Sequence, residues 1–478
     1  MTHNKSAWQK GLIILLTACF NLAISGCAIQ PPVTGSSHKD ALPPLKISDE
    51  DISRSKKLGL EFLSEIRKQV RFVKDPEING AVSGIGRSIL AANGEDPASF
   101  HFMVIRDNTI NAFAVPGGYI FIYDGLLGKM TGPDELAGVL SHEIGHVKKD
   151  HFFKEDAQAN IFSIAGIVAA LLTREPAALV AGQLASESSH LSFSREHERE
   201  ADSVGLRMLN RAGYNPLGLK KFFNTLREYE KFNPSLVPAY FSTHPVSEER
   251  EMNMEVLSRA LPPPGPKSEI FIDWDRMRLL VELESEPDRP IEEFLNEISG
   301  KSVSEERNHY LKGLVYFKTN HLQEAMEEYG LAIRINPRAS IYHSNIARTF
   351  FNLKKMDDAE LSAKRALTLD RTNAEGEEIL GEIDEQKKNY PQALEHYEKA
   401  VALRPENPVL HYLLGALYSK TGESREASWH LAKYYRLEFK TDQAMNELEK
   451  LRASSAAKDP AFRKRAEEEI LDILREGF

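Results

Sequence analysis

The sequence predicts an α+β, mostly helical protein, in which a first domain with a small sheet precedes an α-solenoid of short helical repeats. Three observations favour this class. Residues 100–105 (FHFMVI) are rich in strand formers and alternate as a strand does, whereas most other apolar positions recur at helical spacing. A proline-rich stretch, 261–267 (LPPPGPK), separates two segments of domain size. Beyond it, small residues recur every 34 positions.

Length and composition limit the class of protein. The chain has 478 residues, more than one ordinary core supports, so two or more domains are expected. Its 42% hydrophobic and 27% charged content is that of a soluble globular protein. The formal net charge of -10 argues against nonspecific nucleic-acid binding, which needs clustered positive charge.

Residues 1–26 read as a secretory signal peptide, with Lys5 and Lys10 before a short apolar run. The run is too short for a confident membrane span. It ends in ISGC (24–27), which resembles the lipobox of bacterial lipoproteins; by that resemblance Cys27 carries lipid. We then expect a periplasmic protein anchored to the outer membrane. The alternative is plain signal cleavage near 25–28, with Cys27 left as a spare thiol.

The first domain is predicted over 48–260, after a flexible tether over 28–47 that is rich in Pro, Gly and Ser. Helices are expected over 48–72 and 76–93. Residues 111–127 (NAFAVPGGYIFIYDGLL) read as a strand, a Pro-Gly-Gly break, a second strand and the start of a helix. The domain therefore combines helices with a small sheet.

The second part of the chain shows a 34-residue period over 305–440. Two sets of small residues keep this step: Gly313, Ala347, Gly381 and Gly415, and Ala325, Ala359, Ala393 and Ala427. Such a pattern is typical of tetratricopeptide repeats, in which small residues let the two helices of each repeat approach closely. After the linker 261–267 we expect connecting helices over 268–304, and capping helices over 441–478.

The segment LSHEIGHVKKDHF (140–152) has the features of a metal site. On a helix His142 and His146 share one face, so both imidazoles can bind a single zinc ion. Glu143 lies beside them and can act as general base on a water molecule held there. His151 lies five residues past His146 and is predicted to be a surface histidine. Because an HExxH segment also arises by chance, the assignment of a metal site here depends on finding a third ligand.

The third ligand is predicted on a second helix. A metzincin would need glycine at position 149 and histidine at position 152, but the sequence has Lys149 and Phe152. In SFSREHEREADSVGLRML (192–209), Glu198 and Asp202 are four residues apart and share a face. Glu198 can bind the metal, while Asp202 accepts the outer N–H of a ligating histidine. The alternatives are a charged, solvated face, or His197 as the ligand. Three protein ligands would leave one position for water.

The segments NAFAVPGGYIFIYDGLL, HEIGH and SREHEREAD together resemble the HtpX-like and CAAX-prenyl-protease family of zinc metallopeptidases. The resemblance implies a gluzincin-like HExxH domain with His142, His146 and Glu198 as ligands of one Zn²⁺ and Glu143 as catalytic base. It also implies a role in folding or clearing outer-membrane β-barrel proteins, with the outer-membrane β-barrel assembly machinery as a partner of the repeats.

Three further segments carry open predictions. STHPVSEER (242–250) holds His244 and Arg250 and also resembles the family; His244 would stabilise an oxyanion, occupy the open zinc position, or have no role. Residues Asn111, Ala112, Phe113 and Ala114 offer a strand that substrate backbone can extend. Residues 159–185 read as two apolar helices that cover the cleft, touch lipid or form a buried pair.

Two functions remain open on the sequence alone. The first is a zinc metalloendopeptidase that cleaves unfolded or misassembled envelope proteins for protein quality control, with the repeats for docking. The second is a chaperone or scaffold lipoprotein that acts through its repeats and has a weak or latent protease site. The presence of every catalytic residue type favours the first.

Overall fold

The computed structural model describes residues 54–149, 168, 194–232, 239–266, 272–455 and 459–476. The predicted signal peptide, Cys27, the tether, His151 and, except for Val168, the apolar segment 159–185 lie outside these residues. Within the described ranges, no helix combines the length and the apolar character needed to cross a bilayer.

The first part of the chain is a helical layer around a small sheet. Its helices are α1 (Arg54–Gln69), α2 (Pro76–Ala92), α3 (Asp124–Leu127), α4 (Pro133–Lys148), α5 (Arg195–Arg211), α6 (Gly218–Phe232), α7 (Ala239–Thr243) and α8 (Glu248–Arg259). Its strands are β1 (His101–Ile105), β2 (Ala112–Val115) and β3 (Tyr119–Tyr123). The predicted helices and both predicted strand segments are found, within a few residues of their expected ends.

The sheet has the order β1–β3–β2. Strand β1 runs parallel to β3, and β2 pairs antiparallel with β3 with Phe113 opposite Phe121. The Pro-Gly-Gly break makes the turn between β2 and β3, because Gly117 and Gly118 have φ of 82° and 86°. A Cβ atom at Gly118 would lie 2.2 Å from the Ser99 carbonyl oxygen, so this turn requires glycine. Among the described strands, β2 is an edge strand.

Helix α4 is buried and packs closely against two helices. A Cβ atom at Gly138 would lie 2.2 Å from the Leu219 amide nitrogen of α6, and one at Gly145 would lie 2.8 Å from the Ala201 carbonyl oxygen of α5. Glycine at these positions lets the helix backbones approach. Leu136, Leu140 and Ile144 are fully buried, as their helical spacing predicts.

The second part consists of helix pairs. After α9 (Trp274–Ser285) and α10 (Ile291–Gly300), the helices are α11 (Glu305–Lys318), α12 (Leu322–Ile335), α13 (Ser340–Asn352), α14 (Met356–Leu369), α15 (Ala374–Gln386), α16 (Tyr390–Leu403), α17 (Pro408–Thr421), α18 (Ser424–Leu437), α19 (Thr441–Ser455) and α20 (Pro460–Glu476). Gly313 and Gly381 pack against the rings of Tyr329 and Tyr397, so small residues do allow close approach within a repeat.

The repeat period also appears in the backbone. Asn320, Lys354 and Lys388 follow one another at 34-residue intervals, and their φ angles are 64°, 63° and 62°. The next position in this series is Gly422, with φ of 90°. In each of these four pairs, a left-handed residue therefore follows the first helix within two positions and turns the chain into the second helix. The apolar period alone did not predict these residues.

Arg276 on α9 joins the two parts of the chain. Its side chain donates to Glu77 of α2 at 2.7 Å and to Asn345 of α13 at 2.9 Å, and it also contacts the hydroxyl of Tyr310. Lys318 of α11 forms an ion pair with Asp75 at 2.8 Å. These contacts connect the first repeats to the helix that follows α1.

Candidate active site

Three predicted ligand side chains meet in the buried space between α4 and α5. The Nε2 atoms of His142 and His146 are 3.0 Å apart. Glu198 Oε1 lies 3.2 Å from His146 Nε2, and Glu198 Oε2 lies 3.4 Å from His142 Nε2. All three side chains are at most 3% exposed. The helical spacing of four places both histidines on one face, and the α4–α5 contact brings Glu198 opposite them.

This donor set fits a tetrahedral zinc ion. Zn–N bonds of ~2.0–2.1 Å at tetrahedral angles place neighbouring ligand atoms about 3.3 Å apart. His146 Nε2 lies 3.0 Å from His142 Nε2 and 3.2 Å from Glu198 Oε1, both close to that value. The other carboxylate oxygen, Glu198 Oε2, lies 3.4 Å from His142 Nε2. Two neutral imidazoles and one carboxylate are also the ligand types of catalytic zinc sites.

His244 joins this group from the loop after α7. Its Nδ1 atom lies 3.2 Å from His142 Nε2 and 3.0 Å from Glu198 Oε1. Ligand atoms of His142, His146, Glu198 and His244 all lie within 4.8 Å of one another. His244 Nδ1 therefore lies close enough to these atoms to be a fourth possible ligand. Of the alternatives for His244, this geometry favours occupation of the open position.

Asp202 and Arg250 support the ligands from behind. Asp202 Oδ1 lies 3.0 Å from His142 Nδ1, the nitrogen that points away from the proposed ion. Arg250 donates to both Asp202 oxygens, at 2.5 and 2.8 Å, and its Nη1 lies 2.5 Å from Glu198 Oε2. Ser247 caps α8 by accepting from the Arg250 amide, which sets the position of this arginine. The arrangement fixes the His142 ring and gives the two buried carboxylates a shared cation.

Burial and these neighbouring charges shift the pKa values of the ionisable side chains in the site. Against the effect of burial, His244 and Arg250 hold the pKa of Glu198 well below its usual range. Burial likewise opposes the charged form of His142, but Glu198 and Asp202 raise its pKa to about 9. Burial lowers the pKa of His146. Glu198 therefore remains ionised, as a metal ligand must be.

Glu143 is fully buried, and neither of its carboxylate oxygens has a hydrogen-bond donor among the described residues. Its Oε1 lies 3.4 Å from His244 Nε2. Burial raises the pKa of Glu143, which brings this carboxylate closer to the basicity that a general base needs near neutral pH. A buried carboxylate without a hydrogen-bond donor costs free energy, so its presence indicates a chemical role.

The remaining candidates take different positions. Asn111 to Ala114 are buried, and β2 packs on α4 as an edge strand of the described sheet. Glu196 is exposed and His197 is partly exposed, as expected for the charged face of α5.

The sequence patterns did not indicate Tyr240, although it lies four residues before His244 and its ring stacks on that histidine at 4.7 Å. The helical spacing of four could have indicated it.

Comparisons with known proteins identify the two kinds of domain in this chain. Residues 78–257 match the model of peptidase family M48, and 306–338 and 381–422 match tetratricopeptide repeat models. The beta-barrel assembly-enhancing protease of Escherichia coli K12 is 23% identical over 438 residues, which cover 89% of this chain and 82% of that protein.

Two other relatives each match less than half of the chain. The putative beta-barrel assembly-enhancing protease of Vibrio cholerae is 30% identical over 214 residues, 43% of this chain and 44% of that protein. The mitochondrial metalloendopeptidase OMA1 of Schizosaccharomyces pombe is 34% identical over 180 residues, 36% of this chain and 51% of that protein. The chain is thus a metallopeptidase that carries a peptidase family M48 domain followed by tetratricopeptide repeats, and it is homologous over most of its length to beta-barrel assembly-enhancing protease.

Proposed function

We propose that this protein is a zinc-dependent endopeptidase of the bacterial cell envelope, which hydrolyses peptide bonds of misfolded or stalled envelope proteins, including outer-membrane proteins. One observation carries the proposal. His142, His146 and Glu198 converge, with side-chain nitrogen and oxygen atoms 3.0 to 3.4 Å apart, next to the buried carboxylate of Glu143, which has no hydrogen-bond donor among the described residues. This combination of donors and base is what metal-assisted peptide hydrolysis requires.

His142, His146 and Glu198 would hold one zinc ion, with Asp202 keeping His142 in the tautomer that binds through Nε2. When bound, zinc supplies Lewis acidity and lowers the pKa of water. Glu143 removes a proton from the attacking water and later delivers it to the leaving amine. Arg250 holds Glu198 and Asp202 in place.

Strand β2 would bind the substrate. Its outer edge is unpaired within the described sheet, and it packs on α4 beside the catalytic histidines. An extended peptide added at Asn111–Ala114 would be held mainly through backbone hydrogen bonds. Such binding selects unfolded chains rather than particular side chains, which suits an enzyme that clears misfolded proteins.

Two lines of evidence support a location in the cell envelope. The relative that matches most of the chain is named for β-barrel assembly. The N-terminus also has the pattern of a secretory signal that ends in a lipobox at Cys27. We propose a periplasmic lipoprotein at the outer membrane, with the peptidase domain over 48–260 and the repeats over 305–440. In this proposal the repeats dock clients or the β-barrel assembly machinery.

A latent protease that acts mainly as a chaperone or scaffold is the second candidate, and the position of His244 favours it. With Nδ1 3.2 Å from His142 Nε2 and 3.0 Å from Glu198 Oε1, His244 would compete with water for the fourth ligand position. Client binding would then have to displace the loop after α7 before hydrolysis begins. The repeats would recruit partners in either case.

The test is metal content and cleavage of an unfolded protein. We expect purified protein to contain about one zinc per chain and to degrade reduced, carboxymethylated casein. Glu143→Gln is expected to retain zinc and lose cleavage, because the substitution removes only the base. Glu196→Gln, on the exposed face of α5, is the matched control and is expected to cleave normally. Zinc-loaded wild-type protein that cleaves no faster than Glu143→Gln would support the scaffold instead.

A further inference from the structure

Tyr240 is a fully buried tyrosine between the proposed substrate strand and the metal site. Its ring stacks on the imidazole of His244, with centroids 4.7 Å apart and planes at 30°. Its backbone amide donates to the carbonyl of Ile110 at 3.0 Å, and Ile110 directly precedes the strand residues Asn111–Ala114. Phe222 of α6 packs edge-on against the same ring at 5.5 Å. The two ring contacts hold the side chain, and the backbone hydrogen bond places it beside the substrate strand.

The hydroxyl of Tyr240 has no hydrogen-bond partner in the described part of the chain. Burying a hydroxyl without a partner costs about 1–3 kcal/mol, and buried polar groups are rarely left in this state. The hydroxyl lies in the field of the Glu143, Glu198 and Asp202 carboxylates and of Arg250. The unsatisfied donor therefore belongs to the same cleft as the catalytic groups.

We propose that Tyr240 is a catalytic residue, whose hydroxyl donates a hydrogen bond to the oxygen of the scissile carbonyl as that oxygen becomes negatively charged. The inference rests on the proposed peptidase function. When water adds to the carbonyl carbon, the π electrons of the C=O bond move to this oxygen, and Glu143 accepts the water proton. The phenol keeps its own proton throughout.

A donor in this place acts mainly on the transition state. The hydrogen bond strengthens as charge develops on the carbonyl oxygen, so it raises kcat more than it lowers KM. Because every peptide bond offers the same oxygen, Tyr240 adds no preference for a side chain. This agrees with a substrate strand that binds backbone.

Tyr123 provides a matched control. It is 2% exposed, and its hydroxyl also lacks a hydrogen-bond partner among the described residues. Its ring belongs to β3, and the carboxylate that acts on it is that of Asp107 rather than those of the metal site. Tyr240→Phe and Tyr123→Phe each remove one buried, unpaired hydroxyl and keep the ring. Their effects on folding should therefore be alike.

The experiment compares the full-length wild-type protein with Glu143→Gln, Tyr240→Phe and Tyr123→Phe. The substrate is a quenched-fluorescence peptide that spans a casein bond cleaved by the wild-type protein. We expect Tyr240→Phe to lower kcat by about 100-fold, the effect of losing one oxyanion donor. KM and zinc content should remain those of the wild type, and the melting temperature should not fall below that of the wild type. Tyr123→Phe should keep the wild-type kcat.

The outcomes separate the two proposals. If Tyr240→Phe cleaves at the wild-type rate while Glu143→Gln is inactive, the peptidase function stands and the role of Tyr240 is refuted. A loss of kcat accompanied by loss of zinc, or shared equally by Tyr123→Phe, would also refute it, since the effect would then be structural. If the wild type cleaves no faster than Glu143→Gln, the proposed function fails and the role of Tyr240 fails with it.

Discussion

Gly145, between the two histidines of the HEIGH segment, sets the distance between the helices that carry the proposed ligands. A Cβ atom at this position would lie 2.8 Å from the carbonyl oxygen of Ala201 and 3.0 Å from its Cα. Because ordinary van der Waals contact begins near 3.4 Å, Gly145→Ala should push α4 and α5 apart locally by about 0.6 Å. Gly145 directly precedes the ligand His146, and Ala201 follows the ligand Glu198 by three residues.

The expected result is a weaker metal site in a folded protein. His146 Nε2 and Glu198 Oε1 are 3.2 Å apart, and a separation of the helices lengthens this edge directly. Overpacking of this kind typically costs about 1–3 kcal/mol of unfolding free energy. A misplacement approaching 1 Å can cost about 100-fold in rate. We expect zinc affinity and casein cleavage each to fall about 10- to 100-fold, on the scale of these effects.

The assay is competition for zinc with a fluorescent chelator, followed by cleavage with saturating zinc. Gly80→Ala is the control, because a Cβ atom added at this helical glycine would meet no atom within 4 Å, and the variant should gain up to about 1 kcal/mol. Adding Ala201→Gly should not rescue Gly145→Ala, since the contacts are with backbone atoms. Wild-type zinc affinity and rate in Gly145→Ala would refute the reasoning.

Three further predictions concern buried charges and the fourth ligand position. Arg250→Gln should lower the unfolding free energy of the metal-free protein by about 3–5 kcal/mol in urea, because Glu198 and Asp202 lose their buried cation. Burial raises the pKa of Glu378 to about 7, so between about pH 4.5 and 7 the folded state keeps a proton that the unfolded state has already lost. Stability should fall over that range by up to about 3 kcal/mol, and Glu378→Gln should remove most of this slope. His244→Ala should retain zinc and cleave casein several-fold faster, because it opens the fourth position.

Each of these has a control or a contrary outcome. Arg199→Gln breaks an exposed pair with Glu249 and should change stability by less than about 1 kcal/mol. An unfolding free energy that is flat between pH 4.5 and 8 would contradict the assignment for Glu378. Slower cleavage by zinc-loaded His244→Ala would mean that this histidine assists the reaction rather than closing the site.

The sequence by itself determined the local elements and the repeats. Period-2 and helical apolar patterns depend only on which side chains face a common core, so β1 was predicted within one residue of its observed bounds, and α4 and the repeat region were predicted to be helical. The 34-residue step of Gly313 and its equivalents indicated tetratricopeptide repeats because close helix packing leaves room for only small residues. The pairing of His142 with His146 also follows from spacing within one helix.

Tertiary structure alone decided which distant groups meet. The packing of α4 on α5 brings Glu198 to the histidines, and the position of α7 brings Tyr240 and His244, about 100 residues away in sequence, into the same cleft. The Arg276 contacts to Glu77 and Asn345 were likewise outside any local pattern. A spacing rule describes neighbours on one element, whereas these contacts depend on how elements pack, which is set by the summed shape and burial of the whole core.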